Sequence, residues 1–159
     1  MISVALLGAC DDGADDPPAS EVGQAGALTA LVEWQAGEQE PVFDDAGEER
    51  LPVIYIAAAQ GGTIDVGVQA DVAAATVDVA TVRFADEATE AFNDDLEGRP
   101  VIDDGSMLHV GALPDPAPVV LVDLVRYTAA EISEAFLVEI TADGGSDVGP
   151  ATVTSVTQP

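Results

Sequence analysis

The single histidine, His109, is the side chain best suited to acid–base chemistry near neutral pH. Ser106 and Asp123 supply the other two group types of a serine–histidine–aspartate triad. A triad of that kind also needs a strained turn that exposes the nucleophile, and the segment around Ser106 lacks that pattern. We therefore assign no catalytic residue and expect a chain that is not an enzyme. His109 is interpreted as a surface or strand-edge residue.

Acidic residues occur in short clusters, and calcium is the ion that such oxygen-rich groups would hold. Calcium takes about six to eight oxygen ligands that converge from a loop, and no cluster has the EF-hand spacing. We interpret the clusters as solvated turns and assign no metal-ligating or cofactor-binding residue. A weak calcium site between two loops is the alternative. The clusters are Asp11/Asp12/Asp15/Asp16, Asp44/Asp45/Glu48/Glu49, Asp94/Asp95/Glu97, Asp103/Asp104 and Asp143/Asp147.

Cys10 is the only cysteine, so it forms no disulfide within the chain. It ends an apolar segment, and the four residues Leu7–Cys10 resemble a bacterial lipobox. The resemblance implies that the Cys10 thiol is the lipid attachment site and that cleavage makes Cys10 the mature N-terminus. The acidic segment that follows, rich in proline and glycine, suits a disordered tether over residues 11–26.

The segment before Cys10 is shorter than a complete export signal. Nine residues precede Cys10 and none is basic, whereas a secretory signal has a positive start and an apolar stretch of about 7–15 residues. We interpret residues 1–10 as a truncated lipoprotein signal peptide whose true start lies upstream of Met1. The alternative is an ordinary buried strand in which the cysteine is a small apolar residue.

The charge of the chain excludes several classes of partner. Its 159 residues include 30 acidic residues, four arginines and no lysine, which gives a formal net charge of −26. Nucleic acid and anionic lipid surfaces repel such a chain, so neither is expected to bind it directly. The apolar content of 48% is enough for a hydrophobic core, and valine and alanine dominate it.

From residue 27 onward the pattern is typical of strands, because short valine-rich runs alternate with turn residues. Residues 63–70 alternate apolar and polar positions, which predicts a half-buried strand. The pattern predicts an all-β domain over 27–159, an Ig-like antiparallel β-sandwich of about seven to nine strands. The predicted strands are 27–34, 51–58, 63–70, 76–84 with a bulge near Ala80, 107–110, 119–125, 136–140 and 151–156.

The stretch Phe43–Ala70 resembles a set of uncharacterised bacterial lipoproteins best known from myxobacteria. Its acidic turn Phe43–Gly47, its apolar strand from Leu51 and its turn Gln60-Gly61-Gly62 follow their shared pattern, and the ending Val138–Pro159 is also similar. Thr63 departs from it, because a histidine or aromatic often stands there in the relatives. The resemblance implies an Ig-like sandwich on a lipid anchor and brings no assigned activity.

These observations predict a lipid-anchored protein of the cell envelope, periplasmic or surface-exposed, at the outer membrane. Its domain is expected to be a non-catalytic binding or structural module that contacts another envelope protein or a glycan. A calcium- or carbohydrate-binding sandwich is the alternative. Trp34 is interpreted as core rather than as a sugar platform, and Gln60–Gly62 as a tight turn rather than a ligand loop. The sequence does not fix an oligomeric state.

Overall fold

The computed structural model describes residues 21–143 and 150–159. These residues contain two α-helices, α1 (Gln24–Glu38) and α2 (Val66–Ala75). They also contain eight strands: β1 (Val42–Phe43), β2 (Glu49–Arg50), β3 (Val53–Ala58), β4 (Thr81–Phe84), β5 (Ser106–Val110), β6 (Val119–Ala129), β7 (Ile132–Ala142) and β8 (Ala151–Thr157). No helix in the described ranges is both long and apolar enough to cross a membrane.

Six strands form one mixed sheet in the order β4-β3-β5-β6-β7-β8. Strand β3 runs parallel to both β4 and β5, whereas the pairs β5–β6, β6–β7 and β7–β8 are antiparallel. Strands β1 and β2 form a separate two-stranded hairpin. The sheet therefore has a parallel half, β4-β3-β5, and an antiparallel half, β6-β7-β8.

One face of the six-stranded sheet, here called the helix face, packs against α1 and α2. The strands alternate in the usual way, so Val120, Val122 and Leu124 of β6 point to this face and are buried. The large side chains of this core include Leu28 and Leu31 of α1, Ile54 and Ile56 of β3, Leu108 of β5, and Leu124 of β6.

The opposite face, here called the second face, is covered over the parallel half only. The connection from β4 to β5 crosses it and contributes Ala91, Phe92 and Val101 to a small core with Tyr55 and Met107. Over the antiparallel half the second face exposes apolar side chains: Leu121 is 55% exposed and Leu137 is 40% exposed.

Residues 24–38 form helix α1, so the strand predicted at 27–34 is wrong. The buried positions Ala27, Leu31 and Gln35 recur every four residues, which is the spacing of one helix face. Val22 is also buried, and its amide donates to the carbonyl of Ala117. The folded domain therefore includes residues 22–26, which the sequence had assigned to the tether.

The strand predicted at 63–70 is also wrong, because residues 66–75 form helix α2. Asp65 Oδ1 accepts a hydrogen bond from the Gly67 amide at 2.8 Å, which caps the start of the helix. The alternation of residues 64–70 does not reflect burial, because Val72, outside that stretch, is the one fully buried residue of α2. Helix α2 is the crossover between the parallel strands β3 and β4, a connection that parallel pairing requires.

The sheet-rich prediction is confirmed, and the Ig-like sandwich is not. In the described ranges helices cover one face of a single main sheet, where a sandwich would place a second sheet. Strands predicted at 51–58, 107–110, 119–125, 136–140 and 151–156 are present, with β6 and β7 longer than expected. Strands β6 and β7 are joined by a tight hairpin turn at Ala130 and Glu131. Only residues 81–84 of the predicted strand 76–84 are extended.

Candidate ligand-binding cleft

A cleft of about 610 Å³ opens where the neighbouring parallel strands β3 and β5 end. Open sheets with parallel strands commonly bind ligands in the crevice at the carboxyl ends of those strands. The volume lies within the range typical of small-molecule sites. The cleft is lined by Gln24, Ala58, Ala59, Gly62, Thr63, Ile64, His109, Val110, Gly111, Ala112, Leu113, Asp123 and Val125.

Gly111 and Asp123 meet at the wall of this cleft. The Gly111 amide donates to the Asp123 carbonyl at 2.7 Å. A Cβ at position 111 would lie 3.0 Å from both the Cβ and the carbonyl oxygen of Asp123. Glycine therefore lets the loop after β5 pass close to β6 while the Asp123 side chain stays exposed.

His109 lies on the same sheet face as Asp123, one step diagonally across the β5–β6 pair. Its cross-strand partner is Val125, two residues from Asp123. The His109 ring is half-buried and its centroid is 6.4 Å from that of Tyr127. The cleft thus combines one carboxylate and one imidazole with apolar groups from Ile64, Leu113 and Val125.

The start of α2 follows Thr63 and Ile64 of the cleft, and its charge environment disfavours anions. A free helix N-terminus attracts anions through its exposed amides. Here the carboxylate of Asp65 already accepts the Gly67 amide and adds a negative charge at that point. The residues that line the cleft include no arginine or lysine, so the cleft favours neutral or cationic ligands.

A second cleft, of about 460 Å³, lies at the opposite end of the sheet beside the last turn of α1. The Arg126 guanidinium there lies against two aromatic rings, with its central carbon 5.7 Å from the centroid of Trp34 and 5.1 Å from that of Phe136. Arg126 also donates to Glu134, directly across the β6–β7 pair. That hydrogen bond and the positive charge lower the pKa of the Glu134 carboxyl. Because Arg126 of β6 contacts Trp34 of α1, it joins the helix to the sheet and has a structural role.

Ser106, His109 and Asp123 do not form a triad. Ser106 and His109 are an odd number of residues apart on β5, so their side chains point to opposite faces of the sheet. Ser106 is buried beside the second cleft, whereas His109 and Asp123 line the first. Within the described ranges Ser106 Oγ and Arg126 Nε lack hydrogen-bond partners.

The acidic clusters that lie within residues 21–143 form turns and ion pairs. Asp44 Oδ1 accepts from the amides of Ala46 and Glu48 at 2.9 Å, which closes the β1–β2 turn. Asp94 pairs with Arg99 at 2.8 Å. Asp103 pairs with Arg83, also at 2.8 Å. Among the residues that the structure describes, no group of three or more acidic, histidine or cysteine side chains converges as a metal site would require.

The remaining sequence candidates fall in three places. Trp34 packs against the main core, with its ring edge-on to Phe136 at a centroid distance of 5.6 Å. Gln60–Gly62 forms a turn with Gly61 at a φ of 71°, and Gly62 lines the first cleft. Cys10, most of the tether and the turn residue Asp147 lie outside the described residues.

Sequence reasoning missed the cleft because it missed the crossover helix that creates it. The available signal was a continuously apolar strand, then a glycine turn, then Asp65 as a helix cap. That order predicts a parallel strand–helix–strand unit, and the carboxyl end of its first strand is where a ligand site is expected. Comparison of the chain with protein-family models, with curated proteins and with solved structures gave no match.

Proposed function

We propose that the folded domain is a binding module that holds a small organic cation in the cleft at the ends of β3 and β5. The observation that carries this proposal is the exposed carboxylate of Asp123, the one charged group in a cleft whose other side chains are an imidazole, the neutral polar groups of Gln24 and Thr63, and apolar groups. A ligand cation pairs with Asp123, and its hydrocarbon part packs against Ile64, Leu113 and Val125.

The long-range field of the protein acts in the same direction. A net charge of −26 raises the local concentration of cations and repels anions. The Asp65 cap blocks the helix terminus that would otherwise attract a phosphate or carboxylate. Affinity for a cation should therefore fall as salt is added, because part of it comes from screened charges.

A matched series of aromatic ligands tests the proposal by isothermal titration calorimetry. Phenethylamine, 2-phenylethanol and phenylacetate share a ring and differ in charge. We expect the amine to bind most tightly and the carboxylate most weakly. Binding in which phenylacetate equals phenethylamine would contradict the selection for cations, and absence of binding across the series and across larger amines would remove the proposed function.

Asp123→Asn is the variant that tests the ion pair. It should weaken amine binding about tenfold or more, since a hydrogen bond to a charged group contributes roughly 1.5–3 kcal/mol. Asp115→Asn is the matched control, because Asp115 is exposed on the nearby connector and does not line the cleft. It removes the same charge and should leave affinity within about twofold.

We further propose that a lipid on Cys10 anchors this module in the cell envelope, where it meets its ligand, another envelope protein or a glycan. The lipobox-like residues Leu7–Cys10 and the acidic segment after them support this placement. Two acyl chains on such a cysteine give stable anchoring, where one gives marginal binding. Mass spectrometry of the protein from its native host should find an acylated Cys10 at the mature N-terminus. An unmodified N-terminus at Met1 would refute the anchor without affecting the cleft.

A further inference from the structure

His109 and Asp123 are the two ionisable side chains among the described residues that line the cleft at the ends of β3 and β5. Histidine changes charge between about pH 5 and pH 8. Aspartate titrates near pH 3.9, and a primary amine such as that of lysine titrates near pH 10.4. Between pH 5 and pH 8, therefore, a carboxylate and an amine ligand keep their charges while an imidazole gains or loses one.

The register of β5 and β6 places the imidazole close to the position of the ligand cation. His109 stands opposite Val125, and Asp123 is the next residue of β6 on the same face. Diagonal neighbours of this kind lie roughly 7–8 Å apart. A cation that pairs with Asp123 therefore lies within range of a charge on His109. The repulsion is stronger in such a partly apolar cleft than in bulk water.

The other ionisable groups around His109 lie outside the cleft. The Tyr127 ring of β6 has its centroid 6.4 Å from that of the imidazole. On β3, the Tyr55 hydroxyl accepts a hydrogen bond from Arg83, which also pairs with Asp103. Exposed carboxylates occur at the start of α2, on the connector before β6, and on the β4–β5 connection, whose turn Ala88–Ala91 contacts β5. They are Asp65, Asp115, Asp86, Glu87 and Glu90.

We propose that protonation of His109 expels the cationic ligand, so that the cleft fills at about pH 8 and empties in mild acid. This inference rests on the proposed function of the cleft. The imidazolium repels the ligand cation, and it also competes with that cation for the Asp123 carboxylate. Proton and amine therefore oppose each other's binding, and by linkage each weakens the binding of the other by the same factor.

Isothermal titration calorimetry with phenethylamine at pH 8 and pH 5.5 measures the effect. The amine should bind about tenfold more weakly at pH 5.5. The control ligand is 2-phenylethanol, which carries the same ring without a charge, and its affinity should stay within about twofold between the two pH values. Titrations near pH 6.5 in buffers of different ionisation enthalpy should show that binding of the amine to the wild-type chain releases protons.

His109→Gln tests whether this imidazole carries the effect, because glutamine is polar and does not titrate. The readout is the ratio of the amine affinities at pH 8 and pH 5.5, so a change in overall affinity cancels. The ratio should fall from about ten to about one. Asp115→Asn removes a charge outside the cleft and should keep the wild-type ratio.

Equal amine affinity at the two pH values in the wild-type chain, without proton release, would overturn this inference and leave the binding function intact. A wild-type ratio in His109→Gln would also overturn it, because another group would then carry the effect. Absence of amine binding at pH 8 is a different result, which would remove the proposed function and this inference with it.

Discussion

The parallel and antiparallel halves of the sheet are covered differently. Strand β3 in the parallel half is buried along most of its length, with the core formed by α1 and α2 on one face and the β4–β5 connection on the other. Strand β6 in the antiparallel half alternates between buried and exposed residues over its first six positions. Parallel neighbours need a long crossover that returns the chain to the starting edge, and the crossover covers a face. Hairpins need no crossover and leave a face open.

The cleft lies where the two halves meet. Strand β5 pairs in parallel with β3 on one side and antiparallel with β6 on the other. The chain leaves β3 toward α2, whereas it leaves β5 toward the proline-containing connector before β6. The two exits diverge, so the space between them opens as the cleft that holds His109 and Asp123. The change of pairing direction therefore creates the candidate site.

A leucine-to-alanine substitution made once in each half should give the largest difference in the free energy of unfolding. Leu108→Ala empties a fully buried position on the helix face and should cost about 2–5 kcal/mol in the free energy of unfolding. Leu121→Ala trims an exposed side chain on the second face and should change that free energy by no more than about 0.5 kcal/mol. Urea unfolding followed by circular dichroism measures both.

The comparison of the two leucines also reports on what covers the second face. If the loss of unfolding free energy caused by Leu121→Ala depends on protein concentration, another molecule packs on this face in solution. A cost that equals that of Leu108→Ala at every concentration would contradict the assignment of Leu121 to an uncovered surface.

A glycine pair sharpens the contrast in backbone packing. A Cβ at Gly105, immediately before β5, would lie 2.6 Å from the carbonyl oxygen of Val53. Gly105→Ala should therefore destabilise the parallel half by about 1–3 kcal/mol. Gly37→Ala in α1 meets no atom within 4 Å and should stabilise the chain by about 0.5–1 kcal/mol. Thermal unfolding should move the two variants in opposite directions, and a Gly105→Ala protein as stable as wild type would contradict the close contact.

The sequence predicted the antiparallel half better than the parallel half. Strands β6, β7 and β8 follow local alternation and turn signals, which a single sequence displays directly. Helix α2 was predicted as a strand because Ile64, Val66 and Val68 alternate with polar residues by chance, and valine on its own favours strands. Helix α1 was predicted as a strand because a short apolar stretch such as Ala27–Val32 suits a buried strand or a helix, and packing against the sheet decided between them.

The candidate site could be predicted only in pieces. His109 was visible as the single histidine, but its neighbour Asp123 is fixed by the β5–β6 register, which joins residues distant in sequence. Ser106 was grouped with His109 by proximity in sequence, and strand alternation separates them. The depth of the cleft depends on how two loops diverge, and composition does not encode that divergence.

The ion pair between Arg126 and Glu134 makes the antiparallel half the place to look for a local effect of pH. Hydrogen bonding to Arg126 and its charge lower the Glu134 pKa in the folded state. A lowered pKa adds stability at pH values above the unfolded-state pKa, near 4.3 for glutamate, and this contribution is lost as pH falls through the folded-state pKa. The difference in unfolding free energy between wild type and Glu134→Gln should therefore be largest near neutral pH and shrink below about pH 4. Glu131→Gln, in the turn of the same hairpin, removes the same charge. Comparing the two variants therefore cancels the general relief of charge repulsion in acid.

The effect of Glu134→Gln on the free energy of unfolding should be smaller than those of the leucine and glycine substitutions, since the carboxylate is solvent-exposed and salt screens the ion pair. A difference that stays constant from pH 7 to pH 3 would show that Glu134 acts through packing and not through its charge.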